Sequence, residues 1–223
     1  FISSISHELR TPLTGIKGWI ETMRNPDELS DEEFKFGLGI INDESDRLIN
    51  LVENLLDFSR YQSDRIKLIL SDVKIDKIIR EVTFQLQKKA EKKEIKLVVE
   101  THPAIITADG DRLRQVILNV LDNAIKFSYK NRKIYVIQSV SEEYILIKIS
   151  DIGIGIKKED INHVMESFYK IDPKSIGAGL GLVISNNIID MHNGILKIDS
   201  EYGKGTTVTI SLPLENFKSY VNA

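Results

Sequence analysis

Apolar residues recur at three- and four-residue steps along roughly the first sixty positions, which is the spacing of amphipathic helices. The first run predicts a helix that ends before Asn25-Pro26-Asp27, a sequence that interrupts helices. The apolar positions of this run are Ile2, Ile5, Leu9, Leu13, Ile16, Ile20 and Met23. Ser30 then begins a second predicted helix, and Glu33 three residues later completes a capping box. The pattern therefore indicates a helical hairpin.

The second predicted helix carries an apolar seam with a mean spacing of about 3.5 residues, the period of coiled coils. Only Ser45 interrupts it; its other members are Phe34, Leu38, Ile41, Leu48, Val52 and Leu55. Further apolar residues widen this surface: Ile40, Ile49, Leu51 and Leu56. Because two helices alone cannot cover so much apolar surface, the pattern favours a homodimer whose hairpins form a four-helix bundle. The alternative is a hairpin that packs only against its own chain.

After Gln62 the pattern mixes strands and helices. The predicted strands span residues 67–73, 95–100, 132–140, 144–150, 195–200 and 206–212, and the predicted helices span 75–93, 109–128, 158–166 and 180–191. This order favours an α+β sandwich over a doubly wound parallel sheet. We therefore predict a helical domain at 1–62, an α+β domain at 63–216 and a C-terminal tail at 217–223.

Composition narrows the functional classes. The chain is 42% hydrophobic and 28% charged, which is typical of a soluble globular protein. A net charge of -3 gives no basic footprint for nucleic acid or an anionic membrane surface. The absence of cysteine excludes a disulfide framework and thiolate metal sites. The sequence has no apolar run of membrane-spanning length, so we expect this chain to be soluble. Its first residue is Phe1 and not Met, so we expect it to be a piece of a longer protein.

His7 lies off the apolar stripe of the first predicted helix. It is about 200° around the helix from Ile5 and from Leu9, so its side chain is predicted to face solvent. Glu8 is adjacent, and Thr11 lies one turn later on the same face. Imidazole is a competent nucleophile near neutral pH, and a neighbouring carboxylate can accept its proton. These residues therefore form a candidate catalytic group.

Pro12 removes the helix hydrogen bond to the carbonyl of Glu8 and is predicted to bend the helix close to His7. A lone surface histidine is nevertheless more often an ordinary solvated residue than a catalytic one. The same ordinary interpretation is given to the other three histidines: His102, His163 and His192.

A polar cluster lies on the predicted 109–128 helix, on the side away from its apolar face. Asn119, Asn123 and Lys126 fall within about 60° of one another. Two carboxamides and one ammonium aligned in this way can hold a hydrated Mg²⁺ and a polyphosphate. For this helix alone, a solvated polar face is an equally good interpretation.

Two glycine-rich motifs follow. Asp151-Ile152-Gly153-Ile154-Gly155 comes after a strand, where glycines let the backbone approach a ligand and Asp151 can accept from an adenine amine. Gly177-Ala178-Gly179-Leu180-Gly181-Leu182 begins a helix, where free N–H groups favour phosphate. A dinucleotide-binding fingerprint does not fit, because the second motif does not directly follow a strand. The segment from Gly203 to Thr206 is interpreted as a hairpin turn.

The order of these motifs carries a family resemblance. The string Ser6-His7-Glu8-Leu9-Arg10-Thr11-Pro12-Leu13 resembles the phosphoacceptor box of sensor histidine kinases of two-component systems. Residues 119–127, 151–155, 168–170 and 177–182 are similar to the N, G1, F and G2 boxes of their ATP-binding domain, which gyrase, chaperone and mismatch-repair ATPases share in outline. The resemblance implies a dimerisation and histidine phosphotransfer domain at 1–62 and a Bergerat-type catalytic ATP-binding domain, a two-layer α+β sandwich, at 63–216.

The resemblance also implies roles. ATP would phosphorylate His7 with Glu8 as the base, and the phosphoryl group would pass to an aspartate in the receiver domain of a response regulator. Thr11 would position water for the reverse dephosphorylation of that regulator. Asn123 would be the Mg²⁺ ligand. The implied ATP-binding residues are Asn119, Asn123, Lys126, Phe127, Asp151, Gly153, Gly155, Phe168, Lys170, Gly177, Gly179, Leu180, Gly181 and Leu182. The implied location is the cytoplasmic portion of a plasma-membrane sensor, with any membrane contact made by upstream segments.

Two features depart from the family pattern. Lys170 stands where the family usually has Arg, which keeps the charge but loses the planar fork for bidentate phosphate binding. The predicted lid over the phosphates, residues 171–176, is short. Two other functions stay open at this point: an ATPase clamp of the chaperone or mismatch-repair kind, and a catalytically weak dimeric scaffold.

Overall fold

The computed structural model describes residues 2–24, 29–62, 67–141, 143–172, 178–213 and 217–218. The chain divides into two compact units. The helical unit comprises Phe1–Arg65 and Ser167–Leu180, and the α/β unit comprises Ile66–Glu166 and Gly181–Ala223. The segment Ser167–Leu180, which the sequence assigned to the ATP-binding domain, thus clusters with the helices.

The helical unit is built on the predicted hairpin. Helix α1 spans Ile2–Met23 and helix α2 spans Asp31–Gln62. The capping box is confirmed, because the Glu33 amide donates to Ser30 Oγ at 3.2 Å and the Ser30 amide donates to Glu33 Oε2 at 2.9 Å. Helix α1 continues through Pro12. The predicted interruption at residues 25–27 lies outside the described residues.

The helices α1 and α2 pack closely where Gly37 faces Trp19. A Cβ added to Gly37 would lie 2.4 Å from the ring of Trp19, so a larger residue there would displace that ring. The Trp19 ring also meets the Phe36 ring edge-on, with 5.6 Å between centroids. Along α2, the buried residues Gly37, Leu51 and Phe58 are separated by multiples of seven. These three residues are the buried positions among the described side chains of α2, and none of them belongs to the predicted seam.

The predicted seam of α2 is not buried within one chain. Phe34, Leu38 and Val52 are exposed, and the other members are half-buried. Further large apolar side chains of the hairpin are exposed as well: Leu13, Ile20, Phe36, Ile49 and Leu56. The hairpin therefore presents a wide apolar surface that the single chain leaves uncovered.

The α/β unit contains three helices and two sheets within its described residues. The helices are α3 (Ile75–Lys92), α4 (Gly110–Phe127) and α5 (Gly181–Met191). The strands are β1 (Ser71–Lys74), β2 (Lys96–Glu100), β3 (Ile105–Ala108), β4 (Lys133–Val140), β5 (Tyr144–Ser150), β6 (Ile195–Glu201), β7 (Gly205–Pro213) and β8 (Phe217–Lys218). The larger sheet has the order β2-β4-β5-β7-β6, and the smaller has β1-β3-β8.

The larger sheet is antiparallel except for the parallel pair β2 and β4. Buried positions alternate along β4, β5 and β7, so one face of this sheet is covered. Helix α4 contributes a matching apolar stripe of Leu113, Val116, Ile117, Val120, Leu121, Ala124 and Ile125. The predicted α+β sandwich is confirmed.

The structure corrects several predicted elements. The first strand begins at Ser71 rather than at residue 67, and Ile69 before it is 80% exposed. Strand β3 was missed because it is only four residues long. The helix predicted at 158–166 is wrong. The carbonyls of Lys157, Asp160 and His163 each accept from the amide three residues later, which gives a series of turns. Strand β8 lies in the predicted C-terminal tail and pairs with β3.

His192 is also corrected, because the predicted surface histidine is 3% exposed. Its Nδ1–H donates to the Ile188 carbonyl at 2.7 Å, and its Nε2 accepts from the Asp109 amide at 3.0 Å. Only the neutral ring can do both, since the Ile188 oxygen accepts and the Asp109 N–H donates. Asp109 in turn caps α4 by accepting from the Arg112 amide at 3.1 Å. Burial lowers the pKa of His192 below its ordinary value.

Substituting His192 with asparagine is expected to lower the free energy of unfolding by about 2 kcal/mol, because the buried Asp109 amide loses its acceptor. The wild type should also lose stability as the pH falls below about 6.5, because only its unfolded state takes up the His192 proton there. Asp151, whose pKa is raised in the folded state, has the opposite effect: it makes the protein more stable as the pH falls through that range. The measurement is therefore the difference in stability between wild type and variant from pH 7.5 to 5, with exposed His102→Gln as the control. A constant difference would contradict the neutral-histidine assignment.

Candidate functional site

The candidate catalytic residues lie on α1 in the helical unit. His7 is part of the helix, but its side chain, and with it the predicted orientation toward solvent, lies outside the described residues. Thr11, one turn later, is exposed. The predicted bend at Pro12 stays a prediction. Glu8, beside His7, is half-buried.

The Glu8 carboxylate lies between two cations. Its Oε1 is 2.5 Å from Lys170 Nζ, and its Oε2 is 3.7 Å from Arg47 Nη2 on α2. Arg47 Nη1 also lies 3.4 Å from Glu44 Oε2. The Lys170 and Glu8 side chains are only 16% and 15% exposed, so solvent screens this pair less than a surface ion pair. The predicted base is thus held in place by charges from two other segments.

The segment that carries Lys170 is the predicted F box. The Phe168 ring meets the buried Phe58 ring of α2 edge-on, with centroids 5.6 Å apart. The Phe168 amide donates to the Gly179 carbonyl at 3.1 Å, which closes the base of the loop between them. Gly179 has a φ of +69°, and an added Cβ would lie 2.6 Å from the Tyr169 carbonyl oxygen, so glycine is required there. Leu180 is buried. Gly177 and most of the predicted lid lie outside the described residues.

Helix α4 carries the predicted N box in the α/β unit. The Asn119 amide nitrogen donates to the Gly181 carbonyl at 3.3 Å and to Ser185 Oγ at 3.4 Å, which fastens α4 to the start of α5. Asn123 and Lys126 follow on the same side and are half-buried. Lys126 Nζ lies 4.9 Å from the centre of the Phe127 ring, a cation–π contact. Leu182 lies half-buried at the start of α5.

The predicted G1 box, residues 151–155, is a loop held on both sides by hydrogen bonds. On one side, the Ile154 amide donates to the Phe127 carbonyl at 3.1 Å, and the Tyr129 amide donates to the Ile152 carbonyl at 3.1 Å. On the other side, the Asp151 amide donates to the Thr206 carbonyl at 2.9 Å. The loop is therefore fixed between the C-terminal end of α4 and the β6–β7 hairpin.

Three glycines make this close packing possible. A Cβ on Gly153 would lie 2.2 Å from the Phe127 carbonyl oxygen. One on Gly155 would lie 2.1 Å from the Glu201 carbonyl oxygen, and one on Gly205 would lie 2.2 Å from the Asp151 carbonyl oxygen. Gly153 and Gly155 were predicted to let the backbone approach a ligand, and Gly205 was predicted to lie in a hairpin turn. In the structure, each lets one backbone segment approach another.

Asp151 has the most unusual environment of the predicted site residues. Its Oδ1 is buried and has no hydrogen-bond partner within the part of the chain that the structure describes. Burial raises the pKa of Asp151 to about 6, against the opposing effects of a backbone hydrogen bond with Thr206 and of the Lys93 charge. The residue lines an open depression together with Asp199, Ser200, Glu201, Lys204, Gly205, Thr206 and Thr207. An unused acceptor of this kind fits a ligand that brings a donor, such as the adenine amine.

Comparisons with known proteins agree with both parts of the chain. Residues 1–73 match the family model described as "His Kinase A (phospho-acceptor) domain". Residues 108–216 match the one described as "Histidine kinase-, DNA gyrase B-, and HSP90-like ATPase". The chain belongs to the sensor histidine kinases of two-component systems. The first match contains the phosphoacceptor box, and the second contains all four boxes of the predicted ATP site.

Individual histidine kinases are similar to this chain in sequence or in structure. The chain is 38% identical to sensor histidine kinase YclK of Bacillus subtilis, over 96% of this chain and 46% of that protein. The structure of full-length ShkA in complex with AMPPNP matches 99% of this chain and 46% of that chain, with 27% identity and a TM-score of 0.72. The complex of histidine kinase ThkA with response regulator protein TrrA matches 95% of this chain and 60% of that chain, with 27% identity and a TM-score of 0.72. This chain spans less than half the length of YclK.

The predicted site residues divide between the two units. The helical unit contains His7, Glu8, Thr11, Phe168, Lys170, Gly179 and Leu180. The α/β unit contains Asn119, Asn123, Lys126, Phe127, Asp151, Gly153, Gly155, Gly181 and Leu182. Sequence reasoning missed Arg47, because its contact with Glu8 depends on how α1 and α2 pack, and no local motif marks it.

The described residues contain neither a cluster of metal-ligating side chains nor a membrane-spanning helix. No group of three or more His, Asp and Glu side chains is arranged there to hold a metal ion. No helix in the same residues has the length and apolar character that a membrane span requires.

Proposed function

We propose that this chain is a protein-histidine kinase that transfers the γ-phosphoryl group of ATP to His7. The observation that carries the proposal is Asp151, a buried carboxylate with an unused oxygen, in the loop of the domain that matches an ATPase family. The same chain carries the phosphoacceptor sequence around His7 on α1. A nucleotide site and an acceptor histidine together favour phosphotransfer over simple ATP hydrolysis.

In this proposal the α/β unit binds the substrate ATP. The Asp151 carboxylate accepts from the adenine amine, and Asn123 contributes an oxygen to Mg²⁺. When bound, Mg²⁺ would neutralise charge on the phosphates. Lys126 adds a positive charge on the same side of α4 as Asn123. Asn119, whose amide nitrogen is already bonded to α5, holds the two helices together beside this site.

The helical unit supplies the nucleophile. A nitrogen of the neutral His7 imidazole forms a bond to the γ-phosphorus while the bond from that phosphorus to the bridging oxygen breaks, and ADP leaves. The other nitrogen gives its proton to the Glu8 carboxylate. Lys170 pairs with Glu8 in the structure, so its predicted contact with phosphate requires it to leave that carboxylate first.

The partners follow from the same features. The uncovered apolar surface of the hairpin supports a homodimer in which two hairpins form a four-helix bundle. The match with ThkA in complex with TrrA supports a response regulator as the acceptor of the phosphoryl group. We propose that the acceptor is an aspartate of a receiver domain. The parent protein is proposed to be a plasma-membrane sensor whose cytoplasmic part includes this chain.

Incubation with labelled ATP and Mg²⁺ tests the proposal. We expect label on the protein that is lost in acid and retained in alkali, which distinguishes phosphohistidine from phosphoserine and acyl phosphate. Adding a cognate receiver domain should move the label to that domain. ATP hydrolysis without labelled protein would instead indicate an ATPase clamp. ATP binding with neither label nor hydrolysis would indicate a catalytically weak scaffold.

The phosphatase activity that the resemblance implies makes Thr11 a separate test. Thr11→Ala is expected to slow dephosphorylation of the phosphorylated receiver domain by about tenfold, because the hydroxyl that positions water is lost. Autophosphorylation should stay within about twofold of wild type, because Thr11 has no part in that step. Thr14→Ala is a matched control, since Thr14 is also exposed on α1 and its hydroxyl donates to the Arg10 carbonyl. Equal dephosphorylation rates in the two variants would contradict the role of Thr11.

A further inference from the structure

Lys93, immediately after α3, bonds to the end of another helix. Its Nζ donates to the Ile125 carbonyl at 2.9 Å and to the Lys126 carbonyl at 2.5 Å. These oxygens belong to the last turn of α4, where carbonyls lack partners within the helix and carry partial negative charge. The half-buried ammonium of Lys93 therefore caps the helix that carries the N box.

The turn that Lys93 caps is the turn that holds the G1 loop. Phe127 accepts from the Ile154 amide at 3.1 Å, and Ser128 Oγ donates to the Ile152 carbonyl at 3.2 Å. A displacement of this turn would therefore shift the loop that contains Asp151. Lys93 thus acts on the position of the loop through the backbone of α4.

Lys93 also acts on Asp151 through charge. Burial raises the pKa of Asp151, and the positive charge of Lys93 opposes that effect by favouring the carboxylate. Reciprocally, burial lowers the pKa of Lys93, and the charge of Asp151 opposes this effect. The two side chains therefore stabilise each other's charged forms in a partly buried place.

The other charged groups around Asp151 do not replace Lys93. On the β6–β7 hairpin, Glu201 pairs with Lys204 at 2.7 Å and Asp199 pairs with Lys197 at 2.8 Å. All four side chains are more than half exposed, so solvent screens them and each pair nearly cancels. Lys130, beyond the end of α4, is exposed and acts on Lys93 by repulsion.

We propose that Lys93 is a positioning residue of the nucleotide site, which fixes the end of α4 and thereby the loop that carries Asp151. The inference rests on the proposed binding of ATP. It adds a residue that lies outside all four sequence boxes. It also predicts that two separable properties of Lys93, its hydrogen bonds and its charge, are both used.

The charge is tested on the nucleotide-free protein by carbon NMR titration of the Asp151 carboxyl, assigned with Asp151→Asn. In Lys93→Met the titration midpoint is expected to rise by about half a pH unit or more, because the favourable charge is lost. Lys93→Arg should keep a midpoint close to wild type. Lys92→Met, at the exposed neighbouring position, is the matched control. An unchanged midpoint in Lys93→Met would overturn the electrostatic role.

Nucleotide affinity tests both roles. The dissociation constant of a fluorescent, non-hydrolysable ATP analogue is measured from pH 5 to 8 with Mg²⁺. Lys93→Met is expected to weaken binding about fivefold or more at pH 7.5. It should also raise the pH below which the affinity for the analogue falls. A purely structural role would weaken binding equally at every pH. Lys93→Gln, which keeps a donor for the α4 carbonyls but removes the charge, should show the shifted pH profile with a smaller loss at pH 7.5.

The outcomes separate this inference from the proposed function. If the wild type fails to bind the analogue at any pH, both fail. If the wild type binds and Asp151→Asn does not, the nucleotide site stands; unchanged binding by Lys93→Met would then overturn only the role of Lys93. Circular dichroism verifies that each variant is folded. Should Lys93→Met unfold, Lys93→Gln provides the same titration and binding tests.

Discussion

Replacing His7 with glutamine is expected to abolish the incorporation of phosphate from ATP into this chain. Glutamine has nearly the same length and polarity as histidine but no nitrogen that can act as a nucleophile. The expected loss is at least ~100-fold in the labelling rate, because no other group can form the phosphoramidate bond. The measurement is alkali-stable label on the purified protein after incubation with ATP and Mg²⁺.

The controls for this experiment address specificity and folding. His102→Gln removes an exposed histidine of the α/β unit and should leave labelling unchanged. The His7 variant itself should bind the fluorescent ATP analogue with wild-type affinity, because no ATP-binding role is assigned to that residue. Label that persists in the His7 variant would show that another residue accepts the phosphoryl group.

Replacing Asp151 with asparagine is expected to weaken ATP binding by about 10- to 100-fold. The carboxylate only accepts hydrogen bonds, whereas the carboxamide brings an NH₂ group that has no acceptor in a buried position. The shape of the side chain is kept, so the variant should retain the fold. Isothermal titration with a non-hydrolysable ATP analogue measures the loss.

The pH dependence gives this prediction a second test. In the wild type, affinity should fall as the pH drops through about 6, because burial raises the pKa of Asp151 to about 6 and the protonated group is a poorer acceptor. The Asp151 variant should show no such loss in that range. Asp199→Asn, at an exposed position of the same depression, is the matched control. A variant that keeps both the affinity and the pH dependence of the wild type would contradict the role of Asp151.

The elements that were predicted correctly from the sequence are those with local signals. Helices α1 and α3 are marked by apolar periodicity, and the start of α2 is marked by the reciprocal bonds between Ser30 and Glu33. Strands β3 and β8 were missed, because short strands such as Ile105–Ala108 are stabilised by pairing with partners that are distant in sequence. The turns at 158–166 were taken for a helix because an apolar spacing alone does not guarantee continuous four-residue hydrogen bonds.

The candidate site shows the same division between local and distant information. Motifs with fixed spacing placed Asp151, Gly153 and Gly155 together in one loop, which is how the structure arranges them. His192 was predicted to be a surface residue because nothing next to it in sequence indicates that its Nε2 lies 3.0 Å from the Asp109 amide nitrogen. Arg47 and Lys93 were missed for the same reason, since each contacts its functional neighbour only through tertiary packing.

The glycines in and beside the G1 loop help to recognise related chains that have lost catalysis. A Cβ on Gly153, Gly155 or Gly205 would lie within 2.2 Å of a backbone oxygen of a neighbouring segment, so these three positions require glycine. A descendant that no longer handled nucleotide would still need them in order to fold. Their retention therefore reports an intact architecture, whereas replacement of Asp151, whose buried Oδ1 has no hydrogen-bond partner in the described residues, is the more direct sign of a domain that has stopped binding ATP.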